Sequence, residues 1–207
     1  MMKTYFDNHV FHNELEAKLL RLVDRSDRLP PFIILYGEPG TGKTSFAKWF
    51  AEEYASCMNY FPINETGLNK EVWHKISRCH TTASLYDEGK PISRLVILDE
   101  FHNATRNQQD KFKTLYDQIS ERDIGDRFIF VLNTNSRVVG KQIHDLLSPA
   151  MYSRMYRLSF DVPERLVDEV VEKSKRLYPG LSENEIRATL PDHRQLALKQ
   201  SLAEWAA

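Results

Sequence analysis

Two cysteines among 207 residues, Cys57 and Cys79, are too few for a disulfide framework and stand in no metal-ligand spacing. Reduced, structural thiols in a cytosol-like compartment are the expectation. Long apolar runs are also missing. Stretches such as Phe32–Tyr36 and Leu95–Leu98 fall far short of the ~20 residues that a membrane-spanning helix needs. The opening Met-Met-Lys-Thr-Tyr-Phe-Asp lacks the apolar core of a signal peptide. No membrane is implied, and a cytoplasmic location is expected. Nor does one charge dominate. The 28 Lys+Arg stand against 29 Asp+Glu, for a net charge of −1. No global basic field advertises nucleic acid, so any nucleic-acid surface must be local. No internal repeat or low-complexity tract is visible.

What is present suits a packed α/β enzyme. A hydrophobic fraction of 42% over 207 residues supports one large domain, or one domain with a small appendage. Helical spacing of Leu15, Leu19, Leu20, Leu22 and Val23 predicts a helix from Asn13 to Asp27, ended by Pro30-Pro31. Strands are predicted at Phe32–Tyr36, Tyr60–Asn64, Leu95–Leu98, Phe128–Leu132 and Tyr156–Phe160. Helices are predicted at Ser45–Tyr54, Lys70–Cys79 and Asn107–Ser120. Continuous apolar strands separated by helices indicate a parallel sheet covered on both faces. After Pro163 no strand pattern remains. Residues 164–205 read as two or three helices, broken at Pro179-Gly180 and Pro191.

The most informative segment is Gly37-Glu38-Pro39-Gly40-Thr41-Gly42-Lys43-Thr44, a complete G-x-x-x-x-G-K-[ST] phosphate loop. It lies between a predicted strand and a predicted helix that Ser45 continues, as the motif requires. Its glycines let backbone N–H groups curl around phosphate oxygens, and the helix N-terminus adds partial positive charge. Lys43 is expected to reach the β- and γ-phosphates of ATP, and the Thr44 hydroxyl to ligate Mg²⁺. Gly37 to Ser45 form the expected nucleotide contact.

A second site follows the third strand, where Leu95-Val96-Ile97-Leu98 ends in Asp99-Glu100. Ligands of open α/β sheets sit at the carboxyl ends of strands. Asp99 is therefore expected to hold Mg²⁺, and Glu100 to polarise the attacking water. Taken alone, such a strand end is common; paired with the phosphate loop it points to hydrolysis. A third polar strand end, Asn133-Thr134-Asn135, reads either as a group that orients the lytic water or as an ordinary turn.

In this order and spacing the motifs resemble those of the AAA+ ATPases, and among them the clamp-loader ATPase subunits, particularly the phage type. The resemblance runs over almost the whole chain. The phosphate loop resembles Walker A, and Leu95–Glu100 with Phe101 resembles Walker B. Phe61-Pro62-Ile63-Asn64 resembles the family's second strand, which ends in Asn. Asn135 falls where the family has its sensor 1 residue. Ser148–Arg154 resembles the segment ending in the Ser-Arg-Cys motif, with Met155 in place of Cys. Pro191-Asp192-His193-Arg194-Gln195-Leu196 resembles the sensor 2 signature, with Pro191 in place of its glycine.

The resemblance implies an AAA+ nucleotide-binding core over residues 1–161 and a small helical lid over residues 162–207. It implies self-association into a ring or helical oligomer. Arg154 would be the finger into a neighbour's ATP, preferred over Arg157, which alternates with Tyr156 and Leu158 inside a predicted strand. Arg194 would couple the γ-phosphate to the lid. It also implies DNA as a partner and a sliding clamp or a replicative helicase as the protein acted upon, in the cytoplasm, or the host's if the protein is phage-encoded. The matching segment ends just after the lid, before the collar that such subunits normally carry. Arg78, His80, Arg106, Lys111, Arg137 and Lys141 are the basic positions expected to track DNA phosphates. Two other readings stand beside the clamp-loader one: a helicase loader or transposition-type regulator, and a nucleotide-gated binding module with little turnover. Intact Glu100, Asn135, Arg154 and Arg194 weigh against the last.

Overall fold

Each predicted apolar segment becomes a strand of one parallel sheet. The computed structural model describes residues 2–63, 68–79, 89–122, 125–134 and 143–206. The strands are β1 (Phe32–Gly37), β2 (Ala55–Pro62), β3 (Ile92–Asp99), β4 (Asp126–Asn133) and β5 (Tyr156–Ser159), in the order β2-β3-β4-β1-β5. All four pairings are parallel, which puts every carboxyl end on one edge. The central strands are buried on both faces, as their unbroken apolar runs require: Phe32 to Leu35 and Leu95 to Leu98 are fully enclosed.

The preceding helices are α1 (Met2–Asp7) and α2 (Asn13–Asp24); between β1 and β2 runs α3 (Lys43–Tyr54). Next come α4 (Lys70–Cys79) and α5 (Arg106–Arg122), then two single turns, α6 (Ile143–Leu146) and α7 (Pro149–Tyr152). Two apolar layers flank the sheet. One joins Leu19, Ile33, Phe46, Phe50 and Ile97; the other joins Phe32, Phe112, Phe128 and Phe130. Alternate residues of each strand feed opposite layers, as period-two geometry demands.

Beyond β5, helices α8 (Val167–Leu177), α9 (Glu183–Thr189) and α10 (His193–Ala206) enclose an apolar cluster of their own around Val170, Val171, Ile186 and Leu196. Their breaks fall at Pro179-Gly180 and Pro191, where the sequence placed them. Ser182 and Glu185 form a reciprocal capping box that starts α9.

Local differences from the sequence reading have physical causes. The second strand begins at Ala55 rather than Tyr60, directly after α3. Its residues are half-covered on an edge, so no apolar run announces it. Helix α2 stops at Asp24, and a 3-10 turn over Ser26–Arg28 completes the segment. Helix α1 has no amphipathic signature, but Tyr5 stacks on Trp49 with ring centroids 4.3 Å apart.

Candidate active site

The phosphate loop leaves β1 and enters α3 without a side-chain cap. Gly42 holds the N-cap position at φ 89°, a left-handed conformation suited to glycine. First-turn amides of α3 are thereby left for an anion. Gly40, at φ +81°, meets a second constraint: a Cβ there would lie 2.2 Å from Asp192 Oδ1. Asp192 belongs to the helical segment, so the loop and the start of α10 touch at this point. The His193 amide donates to the Gly40 carbonyl at 3.2 Å, and Asp192 Oδ1 accepts the amides of Arg194 and Gln195 at 3.0 and 3.2 Å. Asp192 therefore caps α10 while closing over the loop.

Lys43 is buried with its ammonium on the loop's own oxygens, donating to the carbonyl of Gly37 at 2.9 Å and to Thr41 Oγ1 at 3.1 Å. Burial pulls its pKa down to about 8, opposed by the nearby carboxylate of Asp161. Asp161, just past β5, accepts the Glu38 amide at 2.8 Å. Burial raises the pKa of its own carboxyl.

Across the loop, the Thr44 hydroxyl donates to Asp99 at 3.1 and 3.3 Å to its two carboxylate oxygens. Asp99, buried at the end of β3, also accepts the Tyr60 hydroxyl at 2.7 Å and the Glu100 amide at 2.9 Å. Glu100 is exposed and sits at φ 54°, the one non-glycine residue with positive φ among the described residues. Side chains avoid that region, so the turn that presents this carboxylate is strained.

Of these groups, Lys43, Thr44, Asp99 and Glu100 line one cleft of about 440 Å³. Gly40 to Ser45, Asp99 and Glu100 form one wall, and His193, Arg194 and Ala197 face them from α10. Asn8, His9 and Tyr178 line it too, and Asn133 enters from the end of β4. The sequence reading gave no site role to Tyr60 or Asp161, and it held Asp192 and His193 only as part of the sensor 2 resemblance. Of the polar strand end Asn133-Thr134-Asn135, Asn133 is the residue that lines the cleft. Asn135, the expected sensor, lies outside the described residues, as do Asn64, His80, Arg137 and Lys141.

Arg154 stands apart from this cleft. It follows α7, whose N-cap Ser148 is held by Gln109: the Ser148 amide donates to Gln109 Oε1 at 2.6 Å. The Arg154 side chain folds back, with Nη1 on the Ala150 carbonyl at 3.0 Å and Nε 3.6 Å from Asp117. Arg157 lies over the Tyr152 ring, 4.2 Å from its centroid. Of the other basic candidates, Arg106 reaches the Asp145 carbonyl at 3.4 Å, and Lys111 sits 5.6 Å from the centroid of Trp73.

The model of the ATPase family associated with various cellular activities (AAA) matches residues 33–162, from β1 to just past β5. The chain belongs to the AAA ATPase family. Among curated proteins, the AAA chain is 28% identical over 181 residues to replication factor C small subunit 2 of Pyrobaculum islandicum, covering 81% of this chain and 54% of that protein. It is 31% identical over 140 residues to small subunit 1 of Pyrobaculum arsenaticum, covering 65% of this chain and 40% of that protein. Human replication factor C subunit 5 is 27% identical over 177 residues, with 80% and 47% covered. The AAA chain thus spans about half the length of the curated relatives it matches. Among solved structures, the RuvB Holliday junction branch migration motor of Thermotoga maritima shares the fold at TM-score 0.52 and 16% identity, over 81% of this chain and 51% of that one. The AAA+ family and fold expected from the motifs are borne out, and the curated relatives named above are replication factor C subunits. Among the described residues, no helix is long and apolar enough to cross a membrane.

Proposed function

We propose that this AAA protein hydrolyses ATP within an oligomer on DNA, in the clamp-loader manner of the replication factor C subunits it is similar to. The supporting observation is the convergence of Lys43, Thr44, Asp99, Glu100, Asn133 and Arg194 on one cleft. In this reading residues 1–161 bind the nucleotide and residues 162–207 form the lid that senses it. Lys43 exchanges the loop carbonyls for the β- and γ-phosphates. The oxygen pair of Thr44 and Asp99 fits a hard cation, and these two residues would hold Mg²⁺. Bound there, the ion neutralises phosphate charge. Glu100, lifted free of the strand by its positive φ, accepts the proton of the attacking water. Asn133 orients that water, a role that its place in the cleft supports; Asn135 remains the family-based candidate. Arg194, on the first turn of α10, pairs with the γ-phosphate and ties nucleotide state to lid position. Arg154 acts in trans, released from Asp117 and Ala150 to reach a neighbour's γ-phosphate. A sliding clamp or a replicative helicase is the protein acted upon.

Two measurements test this reading. Glu100→Gln should retain ATP binding and lose roughly 10²–10⁴-fold in hydrolysis, the range for a removed general base. Wild-type turnover in that variant removes Glu100 from the mechanism. The shared site is tested by mixing Arg154→Ala with Lys43→Ala subunits, each inactive alone. Mixed assemblies pair an intact loop with an intact finger and should recover part of the activity, with DNA present. Co-assembly shown by native mass spectrometry without recovery rules out a trans role for Arg154.

A further inference from the structure

A second cleft lies at the opposite end of the sheet, where nothing in the proposed ATPase cycle uses it. It has a volume of about 390 Å³ and is lined by Arg21, Arg25, Arg28, Leu22, Leu29, Pro30 and Tyr156. Leu29 and Pro30 precede β1, and Tyr156 opens β5, where it pairs with Ile33. The phosphate loop leaves the other end of β1, so the two clefts share no residue.

Three features single this cleft out. Arg21, Arg25 and Arg28 follow one another along the end of α2 and its 3-10 turn, at helix-like spacing. Arg28 pairs with its neighbour Asp27 at 3.2 Å, whereas Arg21 and Arg25 have no carboxylate partner among the described residues, and no acidic side chain lines the cleft. Its floor is apolar: Leu22 and Leu29 are buried beneath the arginines, while Tyr156 stays 46% exposed. The negative end of the α2 dipole favours a cation near its last turn. It does not explain three arginines lining one partly apolar recess in a chain of net charge −1.

We propose that this cleft docks an acidic peptide segment of a protein partner. One apolar side chain seats against Leu22, Leu29 and Tyr156, and flanking carboxylates pair with the guanidiniums. Planar guanidinium matches carboxylate in a two-pronged geometry that favours this pairing. Nucleic acid fits less well. Asp24 and Asp27 stand between the arginines and interrupt any basic track for a phosphate backbone. The floor is aliphatic, and a single ring offers no continuous stacking platform.

The test uses fluorescence anisotropy of the full chain with a labelled heptapeptide, a central leucine–phenylalanine pair flanked by aspartates. The same peptide with asparagines, and a thymidine oligonucleotide of equal charge, are the controls. The acidic peptide should bind. The neutral peptide should bind several-fold more weakly. The double variant Arg21→Glu/Arg25→Glu should lose about 10-fold or more, given up to ~5-fold for each exposed ion pair. Tyr156→Ala should weaken binding while leaving ATP binding at the far edge unchanged. If the charge reversal disturbs folding, Arg21→Gln/Arg25→Gln carries the same test. Absent binding, equal binding of the neutral peptide, or indifference to the arginine and Tyr156 changes would each overturn the proposal. Tighter binding of the oligonucleotide would reassign the cleft to nucleic acid.

Discussion

The two ends of the sheet are built on opposite rules. At the carboxyl end, polar groups are buried and held short of their best partners. Lys43 rests on loop oxygens at a lowered pKa, half-buried Asp161 carries a raised one, and Glu100 sits at positive φ. At the amino end, the buried charges satisfy each other. Arg94 and Asp126, on neighbouring strands β3 and β4, lie 3.7 Å apart, both under 10% exposed. The carboxyl end keeps buried charge available to a ligand, whereas the buried pair at the amino end serves the fold, and the charge left available there is that of the surface arginines Arg21 and Arg25. Strain and partly compensated charge gather where chemistry is expected, because a well-satisfied site has nothing left to offer a substrate.

The largest effect that separates the ends is complementary in sign. Lys43→Ala should abolish tight ATP binding, read by isothermal titration calorimetry, with little loss of thermal stability. Asp126→Asn should do the reverse. It removes the carboxylate charge that faces the buried Arg94 guanidinium, at a cost of about 3–5 kcal/mol in chemical denaturation, while nucleotide affinity in the folded fraction is retained. If Asp126→Asn weakened ATP binding as Lys43→Ala does, the contrast between the ends would fail.

A smaller effect is expected at Gly40→Ala. The backbone strain at φ +81° costs about 1–2 kcal/mol, and the new methyl must push Asp192 away. The start of α10 should loosen. Lower ATP affinity with faster amide exchange at 193–196 is the expected outcome; unchanged exchange there would mean that the loop does not position the helix.

The smallest effects are titrations. With its pKa lowered to about 8, Lys43 is losing its proton above that pH, whereas phosphate binding favours the charged form. ATP binding should therefore take up a proton near pH 8, and affinity should fall by up to about 10-fold per pH unit above it. Calorimetry in buffers of different ionisation enthalpy reads that uptake. His193 gives a stability effect of the opposite direction. Burial lowers its pKa to about 4, so between its ordinary value and pH 4 the unfolded chain binds a proton that the folded chain does not. Stability should fall as pH drops through that window, and a His193→Gln variant should flatten this part of the stability curve.

Much of this was legible because it is local. The phosphate loop reads from eight consecutive residues, and the strands read from unbroken apolar runs because a parallel sheet buries both faces. The helix breaks at Pro179-Gly180 and Pro191 read from backbone chemistry alone. Strand β2 was half-read, since an edge strand buries too little to leave a pattern. The partners of the site residues were not legible. Nothing near Asp161 announces that it accepts the Glu38 amide, and nothing near Asp192 announces that it crowds Gly40.

The sequence by itself therefore determined the alternating α/β order, the glycine-rich loop between β1 and α3, and the pair of acids at the end of β3. These depend on residues close in the chain, whose spacing carries the geometry. Only the tertiary structure decided that Tyr60 holds Asp99, that Asn133 reaches the cleft, and that α10 closes over Gly40. It also decided that Arg21, Arg25 and Arg28 meet Tyr156 around one recess. Those are contacts between segments far apart in the chain. They follow from strand order and layer packing, which fix in space what no local pattern encodes.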